Sequence, residues 1–223
     1  MSRDFDWAAF VYIVGALRWT IVLSMIAFFG GAVGGLILAV MRTSRFLALR
    51  GLAAAYIGVI QGTPVLMQLF IAYYGLAVLT GIRIDPWPAV TTAFTMYAAA
   101  FLGEIWRGAI ESIPRTQWEA AAALPLSPVA QLRHVILPQA FRIAIPPTVG
   151  FLVQLIKGTS IASIIGFVEV TRAGQLMVNV TFQPMIVYPI VGLLYFALCW
   201  PLSLASRRLE GRMDAALGIK PGT

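Results

Sequence analysis

Apolar residues in this chain come in long runs rather than in the short periodic stripes of soluble helices. Five runs stand out, at about Trp19–Val40, Ala53–Leu79, Trp87–Ile110, Ile143–Phe167 and Met185–Leu204. A helix rising about 1.5 Å per residue needs about twenty residues to cross a hydrocarbon core of about 30 Å, and each run is of that order. The pattern predicts an all-α membrane protein of about five transmembrane helices, forming a single transmembrane domain over residues 1–223. No fixed-period repeat and no second domain interrupt it.

The polar positions refine this picture. In the first run Gly30, Gly31, Gly34 and Gly35 would break a soluble helix, but in lipid such small residues admit a closely packed neighbour. The second run is broken by Gln61-Gly62-Thr63-Pro64, where the proline removes a backbone donor and bends or opens the helix. Glu104 and Arg107 stand in the last turns of the third run, and Lys157 stands inside the fourth. A short amphipathic link covers Glu169 to Pro184, and the tail from Ser206 to Thr223 is basic and predicted to be partly disordered at its end.

Sixteen Lys and Arg against nine Asp and Glu give a formal charge of +7. In a soluble chain this would suggest nucleic acid. Here the bases lie in short loops between apolar runs, so they report orientation and imply no nucleic-acid partner. Arg42, Arg45, Arg50, Arg107, Arg115, Arg133, Arg142, Arg207, Arg208, Arg212 and Lys220 fall on one side, against Arg3, Arg18, Arg83 and Arg172 on the other. This asymmetry puts the C-terminus in the cytoplasm, and an odd number of spans then puts the N-terminus outside. Asp4 and Asp6 stand where a secretory signal would be basic, so the mature chain is expected to start near Met1. Cys199, a lone cysteine in an apolar run, is read as a packing residue.

The longest polar segment, 111–142, holds the sequence Glu119-Ala120-Ala121-Ala122-Ala123-Leu124-Pro125-Leu126-Ser127-Pro128. It reads as an alanine-rich helix with Glu119 in its first turn, where a carboxylate suits the helix dipole, then a break at Pro125. A second helix follows, with Ser127 as N-cap and Pro128 in the first position. It is expected to end before Leu137-Pro138, because the residue preceding a proline is pushed out of helical geometry. Small alanines let such a helix sit close in another protein's groove.

This loop resembles that of ABC importer permease subunits, which carries Glu-Ala-Ala, a glycine six residues after the Glu, and an Ile-x-Leu-Pro ending. The matches here are Glu119-Ala120-Ala121 and Val135-Ile136-Leu137-Pro138, with Pro125 in place of the glycine. Proline cannot take the positive φ that glycine offers, so the turn is expected to close differently. Gln61-Gly62-Thr63-Pro64, Gly103-Glu104-Ile105-Trp106-Arg107-Gly108, Ser112-Ile113-Pro114, Gln117 and Leu155-Ile156-Lys157-Gly158-Thr159-Ser160 are similar, in order, to the polar amino-acid uptake branch. Gly158 stands where relatives of that branch usually carry Asp or Asn.

The resemblance, which covers most of residues 10–210, implies a type I importer permease fold in the bacterial inner membrane. It further implies an identical or similar permease as dimer partner, ATP-binding ABC subunits below, and an extracytoplasmic solute-binding protein that delivers a small polar amino acid. The surrounding partner is membrane lipid. ATP and Mg would be bound by the ATPase partner, with no cofactor in this chain. Glu119, Ala120, Ala121, Leu124, Pro125, Leu137 and Pro138 would couple to that ATPase.

Ionisable and amide groups inside spans call for partners or a water-filled path, because a charge at the helix centre costs at least about 2.5 kcal/mol on insertion scales. Lys157, about 21 Å along the helix from Ile143, is placed at or beside the solute path with Thr159 and Ser160, which with Gly158 could loosen the helix. Its alternative role is a tether between two spans. Glu104 and Arg107, one turn apart, suit an intrahelical pair, although Glu104 could also read an amino group. Gln61, Thr63, Gln68 and Gln154 are candidate path residues too, with helix bridging as the competing role for the glutamines and helix shaping for Thr63 and Pro64.

His134, the sole histidine, is read as a solvated loop residue. No second histidine, cysteine cluster or phosphate-cradling glycine loop accompanies it, so no catalytic or metal residue is assigned. A stand-alone channel or secondary carrier is the rival function, but no inverted repeat supports it. An intramembrane enzyme would need paired acids, or Ser with His, within spans.

Overall fold

The computed structural model of the protein describes residues 4–81 and 85–216. These residues are helical throughout, with short turns between helices and no strand among them. Arg3, Arg83 and Lys220 of the charge tally, and the end of the tail from residue 217, lie outside the described residues.

Helix α1 runs Trp7–Arg42 and so begins well before the first apolar run. Asp6 sets the start: its carboxylate accepts from Ala9 N at 2.8 Å and satisfies an otherwise unpaired first-turn donor. Arg18 does not interrupt the helix, because its guanidinium lies over the Trp19 ring at 4.9 Å. Helix α2, Leu47–Gly62, is followed after Thr63-Pro64 by α3, Val65–Phe70, a single wide π-helical turn at Ile71–Gly75, and α4, Leu76–Thr80. The two parts meet at 101°, so the break predicted at Pro64 is a sharp bend.

Helix α5, Pro86–Glu111, is the central helix, packed by α1, α2 and α8. Its seam with α1 is made of small residues. A Cβ built on Gly35 would lie 2.9 Å from Gly103 N, and one on Gly31 would collide with Ala98, so both glycines are needed for the close approach. Leu23, Leu69, Phe94, Leu102 and Leu155, all essentially inaccessible, complete the core.

Helices α6, Arg115–Ala122, and α7, Pro128–Gln131, form the loop after α5. The next expectation is corrected: the chain does not leave helical geometry before Leu137-Pro138. A π-helical turn at Leu132–Ile136 leads into α8, Leu137–Gly158, and the helix is continuous from Pro128 to Ile165. The proline ring would clash with the carbonyl four residues back, and a wider turn, in which Leu137 N reaches Leu132 O, makes room for it. The fourth run is thus the end of a longer helix that also contains Pro146 and Pro147. After Gly158 it tightens to a 3₁₀ turn, Thr159–Ile165, and stops at Gly166 with φ 88°.

The amphipathic link forms α9, Val170–Thr181, and α10, Pro184–Ala216, extends past the fifth apolar run into the basic tail, whose end, expected to be disordered, lies outside the described residues. Glu169, fully buried, caps α9 by accepting from Thr171 N and Arg172 N, and also accepts from Tyr195 Oη of α10 at 2.6 Å.

Three helices among the described residues are long and apolar enough to cross a membrane, and four if the bent α2–α4 segment counts as one. Helix α5 has the length but is diluted by threonines and Glu104. Much of its surface faces other helices rather than lipid, so it needs less hydrophobicity.

Candidate functional site

The loop is built as a rigid extension of α8. Ser127 caps α7, accepting from Ala130 N at 3.3 Å with Pro128 in the first turn, as its sequence predicts. Ala123–Leu126 closes without a left-handed residue, through Leu124 N to Ala121 O and Leu126 N to Leu124 O at 2.7 Å. Pro125 is accommodated in this way. One expectation fails: α6 begins at Arg115 after Pro114, so Glu119 sits in its second half and not in the first turn, where it would meet the dipole. The alanine run suggested a later start because it outweighed the helix-starting Pro114.

Ile113, Ile136 and Ala140 form a buried knot with Ile110, Val135 and Ile143, and Gln139 Nε2 donates to Gln117 Oε1 at 3.3 Å, joining α6 to α8. Within α6 only Ala121 is buried. Glu119, Ala120, Leu124, Pro125, Leu137 and Pro138 are exposed, as are Trp118 and Val129, the latter to 74%. His134 is exposed too, with Nδ1 3.0 Å from Ala130 O. An outward face of apolar and small residues beside one carboxylate is what a second protein could cover.

The polar residues of the spans fall into separate groups. Gln68 Nε2 donates to Ile60 O at 2.7 Å and to both Thr63 O and Thr63 Oγ1, while Thr63 Oγ1 donates to Val59 O. These bonds serve carbonyls around the Pro64 break, so Gln68 and Thr63 shape and bridge the helix pieces. The Gln68 Oε1 is buried without a partner. Gln61 is exposed beside them.

Gln154 bridges helices as well, its Nε2 donating to Tyr97 Oη of α5 at 3.2 Å. Glu104 pairs with Arg107, whose Nε donates to Glu104 Oε2 at 2.9 Å, and Arg107 also pairs with Glu111. Sequence reading missed Glu111, although its spacing of four from Arg107 carries the signal. Tyr97 and Tyr195 were missed as well, because only the packing of helices brings them to Gln154 and Glu169.

Thr159 is buried and donates to Ile156 O, and Ser160 Oγ donates to Lys157 O, so the segment tightens rather than loosens. Lys157 is exposed and turns towards α10, lining a cleft with Tyr195, Trp200 and Arg207. Its ammonium makes no hydrogen bond or ion pair among the described residues, which leaves the tether role without support. The candidate path residues therefore do not converge on one cavity within a single chain.

An all-helical membrane bundle with a helix pair projecting between its central helix and the next defines a class. Residues 31–215 match the family described as "Binding-protein-dependent transport system inner membrane component", and the chain belongs to it. It is a multi-pass inner-membrane permease subunit of an ABC importer, in a family that works with ATP-binding subunits and a substrate-binding protein. It is 37% identical to the L-cystine transport system permease protein TcyB of Bacillus subtilis (strain 168), over 90% of this chain and 86% of that one. It is 35% identical to the glutamine transport system permease protein GlnP of Escherichia coli (strain K12), over 94% and 98%.

The crystal structure of an amino acid ABC transporter with histidines superposes with a TM-score of 0.86 at 29% identity, over 94% of this chain and all of that one. An inward-facing MetNI methionine ABC transporter chain shares the fold, with a TM-score of 0.76 at 20% identity, over 92% and 97%.

Proposed function

We propose that this permease forms the translocation path for a polar amino acid, delivered by an extracytoplasmic binding protein and moved at the expense of ATP hydrolysed in a partner. The N-terminus lies outside and the C-terminus in the cytoplasm, as the basic loops favour. The permease acts as a pair, with itself or a similar chain, and ATP and Mg reside in the ATPase subunits. Glu119, Ala120, Leu124, Pro125, Leu137 and Pro138 form the surface that the ATPase grips, and the buried Ala121 couples from beneath it by seating α6.

The observation that carries the coupling reading is the uninterrupted helix from Pro128 to Ile165. A push on α7 moves α8, and with it Gln154, Lys157, Thr159 and Ser160, so ATPase closure biases two cavity shapes through one stiff element. Across the pair, Gln154, Thr159 and Ser160 join Gln61, Thr63, Gln68 and Glu104 along the path, while Lys157 lies beside it, turned towards α10. The amino-acid cargo rests on the relatives, whose names include L-cystine and glutamine.

Proteoliposomes holding the permease, its ATPase and its binding protein test the cargo, screened with the twenty labelled amino acids. ATP-dependent uptake of one polar group is expected. Uptake restricted to apolar amino acids, or equal uptake without ATP, would refute the reading, the latter in favour of a secondary carrier.

A further inference from the structure

Helices α8 and α10 run side by side, tied where Ser206 Oγ donates to Pro146 O at 2.9 Å and where Val153 and Ile156 pack on Cys199. Alongside this seam is an open cleft of about 290 Å³. Lys157 from α8 and Arg207 from α10 both line it, together with Ser203 and Tyr195, and the stacked rings of Phe196 and Trp200 form its wall. The ion pairs among the described residues are those of Arg107, so among those residues neither cation has an acidic partner within 4 Å, and Glu210, one turn beyond Arg207, is not one.

Two cations lining one cleft beside an apolar wall call for an anion with an apolar body. The surface around the cleft indicates which. Leu193, Phe196 and Trp200 are exposed to 65%, 59% and 50%, and continue the cleft wall along the outside of α10. The basic residues Arg208 and Arg212 follow Arg207 at the end of the same helix. An apolar strip leading into a basic end is the surface an acyl chain and an anionic headgroup would cover together.

We propose that this cleft is a binding site for an anionic phospholipid, with the headgroup phosphate between Lys157 and Arg207 and an acyl chain along Phe196 and Trp200. The long stems of both cations let them line one cleft from different levels of the two helices, so a bound anion would give the Lys157 charge a partner within the span. Ser203 adds a hydroxyl donor to the phosphate oxygens. This inference needs the chain to lie in a bilayer and does not depend on the cargo.

The test is native mass spectrometry of the assembled transporter, with phosphatidylglycerol and phosphatidylcholine offered in equal amounts, and inorganic phosphate or a free amino acid added in separate samples. Phosphatidylglycerol should be retained in preference, with retention falling about fivefold for each of Lys157→Gln and Arg207→Gln, the scale of one basic contact to an anionic lipid. Lys157→Arg, which keeps the charge, should leave it nearly unchanged. Equal retention of both lipids, retention unaffected by the two Gln variants, or displacement of the lipid by a free amino acid would overturn the proposal, the last by giving the cleft to cargo. Should a Gln variant fail to assemble, Ser203→Leu, which fills the cleft and keeps both charges, must lower retention on its own.

Discussion

Gln68 is the residue whose role changes most between sequence and structure. As a polar side chain inside an apolar run it reads as a possible solute contact, yet its amide donates to Ile60 O and Thr63 O, beside the proline that breaks the helix. In lipid an unmet carbonyl has no water to turn to. Gln68→Leu is therefore expected to destabilise the bend by about 1–3 kcal/mol, measured as loss of thermal stability in detergent. Unchanged stability would show that Gln68 does not hold the bend. Lys157 illustrates the same limit: its depth could be counted along the helix, but its neighbour Arg207 lies on a helix fifty residues on and becomes visible only once α10 packs on α8. The Glu104–Arg107 pair was legible because both partners share one helix face.

At the scale of elements, apolar runs show that a span exists but not where its helix ends. Lipid thickness sets a minimum length. Capping and turns set the rest, which is why Asp6 starts α1 at Trp7 and why a π-helical turn carries the chain through Leu137-Pro138 into α8. The seam of α1 with α5 could be anticipated from Gly30, Gly31, Gly34 and Gly35, though its partner could not, since nothing in the run names Ala98 or Gly103. Gly31→Val should destabilise the bundle by about 1–3 kcal/mol through overpacking. Gly58→Val, where a new Cβ meets nothing within 4 Å, serves as the control and should be nearly neutral. Equal melting of the two variants in detergent would show that the seam is not closely packed.

For the whole molecule, the fold delivers one mechanical feature on which the transport reading depends. The loop helices α6 and α7 are exposed outwards and knotted inwards by Ile113, Ile136 and Ala140, so a partner pressing on them presses on α8. The matching motifs made the family legible in the sequence. The candidate path residues were less so, because their helices hold them in separate groups that only the packing of the chain reveals.

The most direct test is ATPase activity of the reconstituted complex with and without loaded binding protein, comparing wild type with Glu119→Lys. The wild type should be stimulated by cargo. The variant should remain inserted, with its ATPase lost from the complex or its stimulation abolished. Full stimulation and transport in Glu119→Lys would contradict the assignment of this loop as the coupling surface, and a wild-type permease that associates with no ATPase would contradict the importer reading itself.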